Sequence, residues 1–230
     1  MRNTPESTRQ YKYIDIVTAI FVTVLIVSNI TSVKQLVLGP FTFDGGTIIF
    51  PLSYIFGDVL TEVYGYARSR RVIWTGFACL LLTVVVFGIV QQLTPAPYWD
   101  AQPAYDAILG QTPRIVLASL VAFFVGEFSN SYVLAKMKIA TQGKWLWART
   151  IGSTIVGEGV DTLIFALVAF AGTMGNSDLV NLVVSNYIFK VGVEAVFTPI
   201  TYWVVDFLKR VEHEDYYDRA TNFNPFALRS

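Results

Sequence analysis

Long apolar segments alternate with short polar connectors along the chain. Six such segments each run for roughly 20 residues or more, long enough at 1.5 Å rise per residue to cross a hydrocarbon core about 30 Å thick. The pattern predicts an all-α polytopic membrane protein, a bundle of six transmembrane helices in a single domain, 1–230. The predicted spans cover about 13–33, 47–66, 72–92, 114–135, 150–172 and 179–208.

Composition supports a membrane protein. The 230 residues are 53% hydrophobic and 15% charged, where a soluble domain carries about 25% charged residues. One cysteine, Cys79, excludes an internal disulfide, and the one histidine, His213, lies far from it in the polar tail. We therefore expect no zinc site, no other metal and no cofactor.

Lysine and arginine placement predicts the orientation. The N-terminus, the connectors after spans two and four and the C-terminus hold nearly all of these residues. The opposite connectors hold only Lys34 and Arg114, both at span edges. Because basic loops remain on the cytoplasmic side, both termini of this multi-pass protein are expected there.

Ionisable residues lie inside the spans at one depth. Glu127 precedes Lys136 by nine residues and Glu158 follows Arg149 by nine, which places both about 13 Å from the cytoplasmic edge. A carboxylate near hydrocarbon is costly unless it faces the bundle interior, water or a partner. Several helices thus supply charged groups at the level where a buried polar binding cavity would lie.

Some of these residues also have a structural interpretation. Lys190 and Glu194 are spaced i,i+4 and are able to neutralise each other, so they form either a structural pair or part of a site. Glu62 lies one helical turn after Asp58 and close to Arg68, which favours an interfacial ion pair. The candidate substrate-binding residues are Glu127, Asn130, Glu158, Asp161, Asp58, Lys190, Glu194, Asn29, Tyr54 and Phe56.

Four segments resemble one known family. FGDVLTEVYG (56–65), GEFSNSYVLAKMK (126–138), RTIGSTIVGEGVDT (149–162) and TNFNPF (221–226) occur in that order. Together they resemble the queuosine precursor transporter family, also called the vitamin uptake transporter family. The resemblance extends over essentially the whole chain.

The resemblance implies a transporter, not an enzyme. It implies an inner-membrane importer of 7-cyano-7-deazaguanine or 7-aminomethyl-7-deazaguanine for tRNA queuosine salvage, with a fold similar to energy-coupling-factor substrate-binding subunits. Span one lacks the Ala-x-x-x-Ala that those subunits use for docking, so the energy-coupling partner stays open. The expected partners are the 7-deazaguanine and membrane lipid, with no nucleic acid; a homodimer is left open.

The candidate residues suit a guanine-type ligand. One carboxylate can accept both the N1–H and the exocyclic amine of the ring. Asn130, Asn186 or Lys190 could donate to the ring carbonyl. Aromatic side chains for the ring faces are available at Tyr54, Phe56, Phe123, Phe124 and Tyr187.

Two alternatives belong to other functional classes. The chain could be the substrate-capturing subunit of an ATP-driven vitamin importer. It could instead be an intramembrane aspartyl protease that uses Asp58 and Asp161, which would need the two carboxylates within about 3 Å of each other. The sequence contains no protease-type Gly-x-Gly-Asp.

Overall fold

The computed structural model describes residues 10–38, 41–110, 113–172 and 175–227. Within these ranges the chain is predominantly helical, with one small β-hairpin. The elements are α1 (Ile14–Thr31), β1 (Gln35–Leu38), β2 (Phe41–Asp44), α2 (Pro51–Tyr64), α3 (Tyr66–Gln92), α4 (Gln102–Leu109), α5 (Pro113–Ala140), α6 (Leu146–Phe170) and α7 (Asn176–Glu212).

In the described ranges, five helices are long and apolar enough to cross a membrane: α1, α3, α5, α6 and α7. The predicted second span contains α2, which has 14 residues and is therefore about 21 Å long, shorter than a bilayer core of roughly 30 Å. Nearly all of its side chains are buried, because the longer helices pack around it. The chain is an all-α, multi-pass bundle in which α2 is an enclosed short helix.

Contacts at one end of the bundle bring together distant parts of the chain. A Glu212 carboxylate oxygen at the end of α7 accepts a hydrogen bond from the backbone N–H of Tyr13, just before α1, at 2.8 Å. The same carboxylate accepts from the hydroxyl of Tyr64, the last residue of α2, at 3.0 Å. We call this the basic end, because Lys138, Arg149 and Lys209 also gather there.

The opposite end carries the β-hairpin, and we call it the hairpin end. The two strands pair antiparallel, with Gln35 opposite Asp44 and Leu38 opposite Phe41. The ring of Phe43 stacks on that of Phe189 in α7, with ring centroids 5.0 Å apart. The sequence had indicated only a turn-rich connector here, since four-residue strands are too short to show a clear alternation.

A single residue separates α2 from α3. Gly65 adopts φ +85° and ψ 163°, a backbone conformation that residues with a Cβ rarely adopt. The predicted basic connector after span two is therefore a one-residue break. Arg68, Arg70 and Arg71 lie in the first two turns of α3 instead of in a loop.

Glycines bring α5 and α6 into close contact. A Cβ built on Gly126 would lie 3.1 Å from the carbonyl oxygen of Gly157, and a Cβ on Gly157 would lie at the same distance from that of Gly126. Such small residues let helix backbones approach in a membrane. The contact places Glu127 and Glu158, the next residues along each helix, in the bundle interior.

Candidate functional site

The candidate acids and their neighbours form one buried cluster, which we call the polar core. Its members lie on α2, α5, α6 and α7, and each is at least nine-tenths buried. They are Asp58, Glu127, Asn130, Glu158, Asp161, Lys190 and Glu194.

Lys190 is the one cation of the polar core. Its ammonium lies 2.8 Å from a carboxylate oxygen of Asp161 and 2.9 Å from one of Glu158, both on α6. It also lies 4.3 Å from the ring centroid of Phe50. The interpretation of Lys190 and Glu194 as a pair is wrong, because two carboxylates across the helix interface attract the ammonium more strongly than one on its own helix.

Asp58 is held by neutral donors. The Asn130 amide donates to Asp58 Oδ1 at 2.7 Å, and the Ser153 hydroxyl donates to the same oxygen at 3.4 Å. Asp58 therefore connects α2 to α5 and α6. Its other oxygen, Oδ2, has no hydrogen-bond partner among the described residues.

Among the residues that the structure describes, neither a cation nor a hydrogen-bond donor pairs with Glu127 or Glu194. Each is 0% exposed, and both carboxylate oxygens of each lack a hydrogen-bond partner within the described part of the chain. Glu127 extends from α5 toward Gly57 of α2, where any side chain at 57 would collide with its carboxylate. Glycine at 57 thus makes the space that Glu127 occupies.

A small cavity of about 70 Å³ lies on the hairpin side of the polar core. It is bounded by α1, the segment just before α2, α5, α6 and α7. Its walls include Asn29, Phe50, Asp161, Thr162, Asn186 and Lys190. Ligand pockets usually measure about 300–1,000 Å³, so these helices must separate to admit a bicyclic base.

The cavity wall has hydrogen-bonding groups that protein atoms leave unused. Among the described residues, Asn186 Oδ1 and Thr162 Oγ1 are buried without a hydrogen-bond partner. Phe50 and Phe165 supply apolar ring surface in the same wall. This combination, a buried ion pair, unused polar atoms and aromatic rings, can hold a flat polar heterocycle.

The predicted site residues divide between the cavity wall and its surroundings. Asn29, Asp161 and Lys190 line the cavity. Tyr54 is buried between Gly126 and Gly157, and Phe56 is half-buried against the apolar core. The remaining candidates lie in the polar core outside the cavity wall: Asp58, Glu127, Asn130, Glu158 and Glu194.

Sequence reasoning missed two aromatic residues of the wall. Phe165 follows Asp161 by four residues, so helical spacing alone placed it on the same face and could have identified it. Phe50 precedes α2 and had no such signal. Of the aromatic residues proposed instead, Phe124 packs against Trp74 and Phe77 on the α3 side.

A second ionic network closes the basic end. Glu62 Oε1 lies 2.7 Å from the ammonium of Lys209 and 2.8 Å from the guanidinium of Arg149, and Lys138 is 3.5 Å away. The predicted pairing of Glu62 with Arg68 is wrong. The Arg68 guanidinium bonds to the carbonyl oxygen of Tyr64 at 2.8 Å, because Gly65 redirects the chain between the two helices.

The C-terminal tail covers this network. Asp215 accepts from both Lys138 and Lys209 at 2.7 Å. Burial opposes ionisation of Asp215, but the hydrogen bonds from these two ammonium groups outweigh it and lower the pKa of the Asp215 carboxyl. Burial is also the largest influence on Asp218, and it raises the pKa of that carboxyl despite the bond from the Tyr66 backbone N–H.

The tail segment 221–226 has a structural role. Arg70 donates to the carbonyl oxygens of Asn222 and Asn224 at 2.8 and 3.0 Å. The Trp74 indole N–H donates to the Pro225 carbonyl at 2.9 Å. The segment fastens the tail to α3.

Across the part of the chain that the structure describes, no three His, Cys, Asp or Glu side chains are placed to hold a metal ion.

Comparison with known proteins gives a consistent result. Residues 44–204 match the family described as "Putative vitamin uptake transporter". A Bacillus subtilis protein named "Probable queuosine precursor transporter" is 33% identical over 176 residues, 76% of this chain and 77% of the relative. The Escherichia coli "Queuosine precursor transporter" is 25% identical over 184 residues, 76% of this chain and 80% of the relative.

No solved structure matches the chain, so its similarity to energy-coupling-factor subunits stays a prediction. The family match covers more than half of the chain and includes the whole polar core. The enzyme alternative is therefore not supported, and the expectation of a transporter is confirmed. The chain is a multi-pass membrane protein that belongs to the vitamin uptake transporter family, with the queuosine precursor transporters as its relatives.

Proposed function

We propose that this protein imports queuosine precursors, 7-cyano-7-deazaguanine or 7-aminomethyl-7-deazaguanine, across the inner membrane. The observation that carries the proposal is the cavity beside the Lys190–Asp161 pair, where unused polar atoms and aromatic rings meet. The names of the relatives from Bacillus subtilis and Escherichia coli support the substrate class.

The cavity wall offers a partner for each edge of a 7-deazaguanine. Asp161 is an acceptor for the N1–H and the exocyclic amine, and the Lys190 ammonium is a donor for the ring carbonyl. Asn186 Oδ1 can accept a further N–H, since it has no hydrogen-bond partner within the described residues. The Phe50 and Phe165 rings can contact the flat faces of the base.

Residues behind the wall keep these groups in position. Glu158 holds Lys190 from the same helix that carries Asp161, so the ammonium stays at the wall while its partner binds ligand. The aminomethyl form carries an ammonium, which the excess of acids over bases in the polar core would attract.

The proposed orientation places both termini in the cytoplasm. It is supported by the gathering of Lys138, Arg149 and Lys209 at the basic end, as expected for cytoplasmic loops. The cavity then lies in the outer half of the bundle. A ligand that enters there must pass the polar core and the Glu62 network to reach the cytoplasm.

Calorimetric titration of the purified protein with 7-cyano-7-deazaguanine tests the proposal. Asp161→Asn and Asn186→Ala should each weaken binding at least about tenfold, the effect of losing a hydrogen bond worth roughly 1.4 kcal/mol. Asn181→Ala, an exposed position earlier on α7, is the matched control and should bind like the wild type. Absence of binding by the wild-type protein would reject the proposed substrate class.

A further inference from the structure

The polar core holds many more acids than bases. It contains five carboxyl groups and one cation, Lys190, each at least nine-tenths buried. The ammonium of Lys190 is already paired with the carboxylates of Asp161 and Glu158. A buried carboxylate without a partner is so costly in a low-dielectric interior that it takes up a proton and becomes neutral. The remaining acids therefore need protons, or another positive charge, whenever the core is closed to water.

Glu127 is the strongest candidate for such a proton. Both of its oxygens are buried without a hydrogen-bond partner among the residues described. The ionisable side chains that face it are Glu158 and Asp161 from α6, Glu194 from α7, and Asp58 and Tyr54 from α2. None of these neighbours is a cation.

The space around Glu127 depends on a glycine. Gly57 lies within α2, where a glycine destabilises a helix by roughly 0.5–1 kcal/mol relative to alanine. A Cβ at this position would collide with the Glu127 carboxyl. The glycine therefore accommodates a carboxyl group that has no structural partner, which is expected if the acid itself has a function.

Glu194 has the same properties on another helix. It is 0% exposed, and both of its oxygens are without a hydrogen-bond partner over the described ranges. The ionisable groups near it are the acids Glu158, Asp58 and Glu127. Lys190 precedes it by one turn, but the ammonium is directed to α6.

We propose that Glu127 and Glu194 are proton-binding sites and that proton entry drives substrate import. When the core closes, each of the two carboxyl groups holds one proton, on one of its two oxygens, taken up from the aqueous solution on the cavity side. When the core opens to water at the basic end, the carboxyl can be hydrated, releases its proton there and becomes a carboxylate. Only the O–H bond forms and breaks, and the proton and the substrate move in the same direction.

The arrangement of polar groups supports this direction. From the cavity, the Lys190 pair leads to Glu127, Glu194 and Asp58. One turn beyond Asp58 lies Glu62, in the network at the basic end. Ionisable groups thus continue from the cavity to the basic end. The coupling part of this inference rests on the proposed import function, whereas the protonated state of the two acids does not.

Infrared spectroscopy tests the protonated state without any ligand. Difference spectra between neutral and strongly alkaline solutions should show the C=O stretch of protonated carboxyl groups, with the band shifted in heavy water. Glu127→Gln and Glu194→Gln should each lose part of that band. Asp206→Asn, which removes an exposed carboxyl on α7, should leave it unchanged. A band that is unchanged in both glutamine variants would overturn the assignment.

Uptake into proteoliposomes tests the coupling. With the membrane potential clamped to zero and the outside one pH unit more acidic, each proton that enters with an uncharged ligand supports about tenfold accumulation, so the two protons together support about 100-fold accumulation of 7-cyano-7-deazaguanine. The wild type and Asp206→Asn should show this accumulation. Glu127→Gln and Glu194→Gln each remove one proton site, so each should still bind ligand but accumulate it about tenfold at most. Two variants are used so that a folding defect in one does not decide the result.

The outcomes separate the two proposals. Wild-type uptake that does not respond to the pH gradient would overturn the coupling, while the import function would stand on the uptake itself. A wild-type protein that neither binds nor transports the ligand would reject the import function and the coupling together. The infrared band of Glu127 would still decide the protonated state in that case.

Discussion

The ammonium nitrogen of Lys190 lies 2.8 Å from a carboxylate oxygen of Asp161, in the wall of the cavity between α6 and α7. This ion pair connects the substrate cavity to the polar core behind it. Both members of the pair line the cavity, and Glu158 holds the Lys190 ammonium in place. Structure and recognition therefore depend on the same side chains.

Removing the Lys190 ammonium should reduce both the stability of the fold and the binding of the ligand. Lys190→Met leaves Asp161 and Glu158 buried without a positive partner, and breaking a buried pair from one side costs about 3–5 kcal/mol. We expect a large fall in the thermal unfolding midpoint in detergent and loss of ligand binding. Arg210→Gln breaks an exposed i,i+4 pair on the same helix and should change neither. Wild-type stability of Lys190→Met would show that the acids do not need the ammonium.

Filling the space beside Glu127 should also destabilise the protein. Gly57→Ala places a Cβ against the Glu127 carboxyl, and such overpacking typically costs about 1–3 kcal/mol. Gly192→Ala is the matched control, because a Cβ there meets nothing within 4 Å. That change should be neutral or raise stability by about 0.4–1 kcal/mol. Equal unfolding midpoints for the two variants would contradict the tight fit between Gly57 and Glu127.

The tail should weaken in acid. The depressed pKa of Asp215 means that its ion pairs stabilise the fold above the unfolded pKa, about 3.9, and that this stabilisation is lost as pH falls through the lower folded value. The unfolding midpoint of the wild type should therefore exceed that of Asp215→Asn at neutral pH, and the difference should shrink in strong acid. Asp218, whose pKa is raised instead of lowered, is present in both proteins, so its contribution to the pH dependence cancels in the comparison. A difference that grows in acid would contradict the account.

The orientation predicts which loops an impermeant thiol reagent reaches. In a Cys79→Ala background, Tyr98→Cys lies on the highly exposed connector between α3 and α4 and should react from outside intact cells. Lys144→Cys lies between α5 and α6 at the basic end and should react only after the cells are opened. The reverse labelling pattern would invert the proposed topology and place the cavity on the cytoplasmic side.

Much of the bundle could be predicted because membrane helices must satisfy their own backbone hydrogen bonds over a fixed thickness. That constraint made apolar length informative, and every predicted segment contains a helix. Apolar length did not distinguish α2 from the membrane-spanning helices, because the apolar side chains of α2 are buried in protein instead of lipid. The same composition suits both environments, so the sequence could not separate them.

The depth argument identified Glu127 and Glu158 as buried, and both are 0% exposed. Spacing along one helix did not predict their partners. The Lys190 pairs cross from α7 to α6, and the Arg70 bonds join α3 to the tail over more than 150 residues. Such contacts depend on how helices are arranged in space, which local periodicity does not specify. Whether the predicted site residues contact substrate stays a prediction.

A carboxylate in the cavity wall is proposed to recognise the N1–H and amine edge of a 7-deazaguanine. Competition binding tests this recognition most directly. Guanine, hypoxanthine and adenine should be titrated against labelled 7-cyano-7-deazaguanine on the purified protein. Guanine should compete best. Hypoxanthine lacks the amine and leaves a buried acceptor unpaired, at a cost of about 1–3 kcal/mol, which is roughly five- to 150-fold in Kd. Adenine should be weaker still, because its ring presents an acceptor where the carboxylate needs a donor. Adenine that competes as well as guanine would contradict recognition by Asp161.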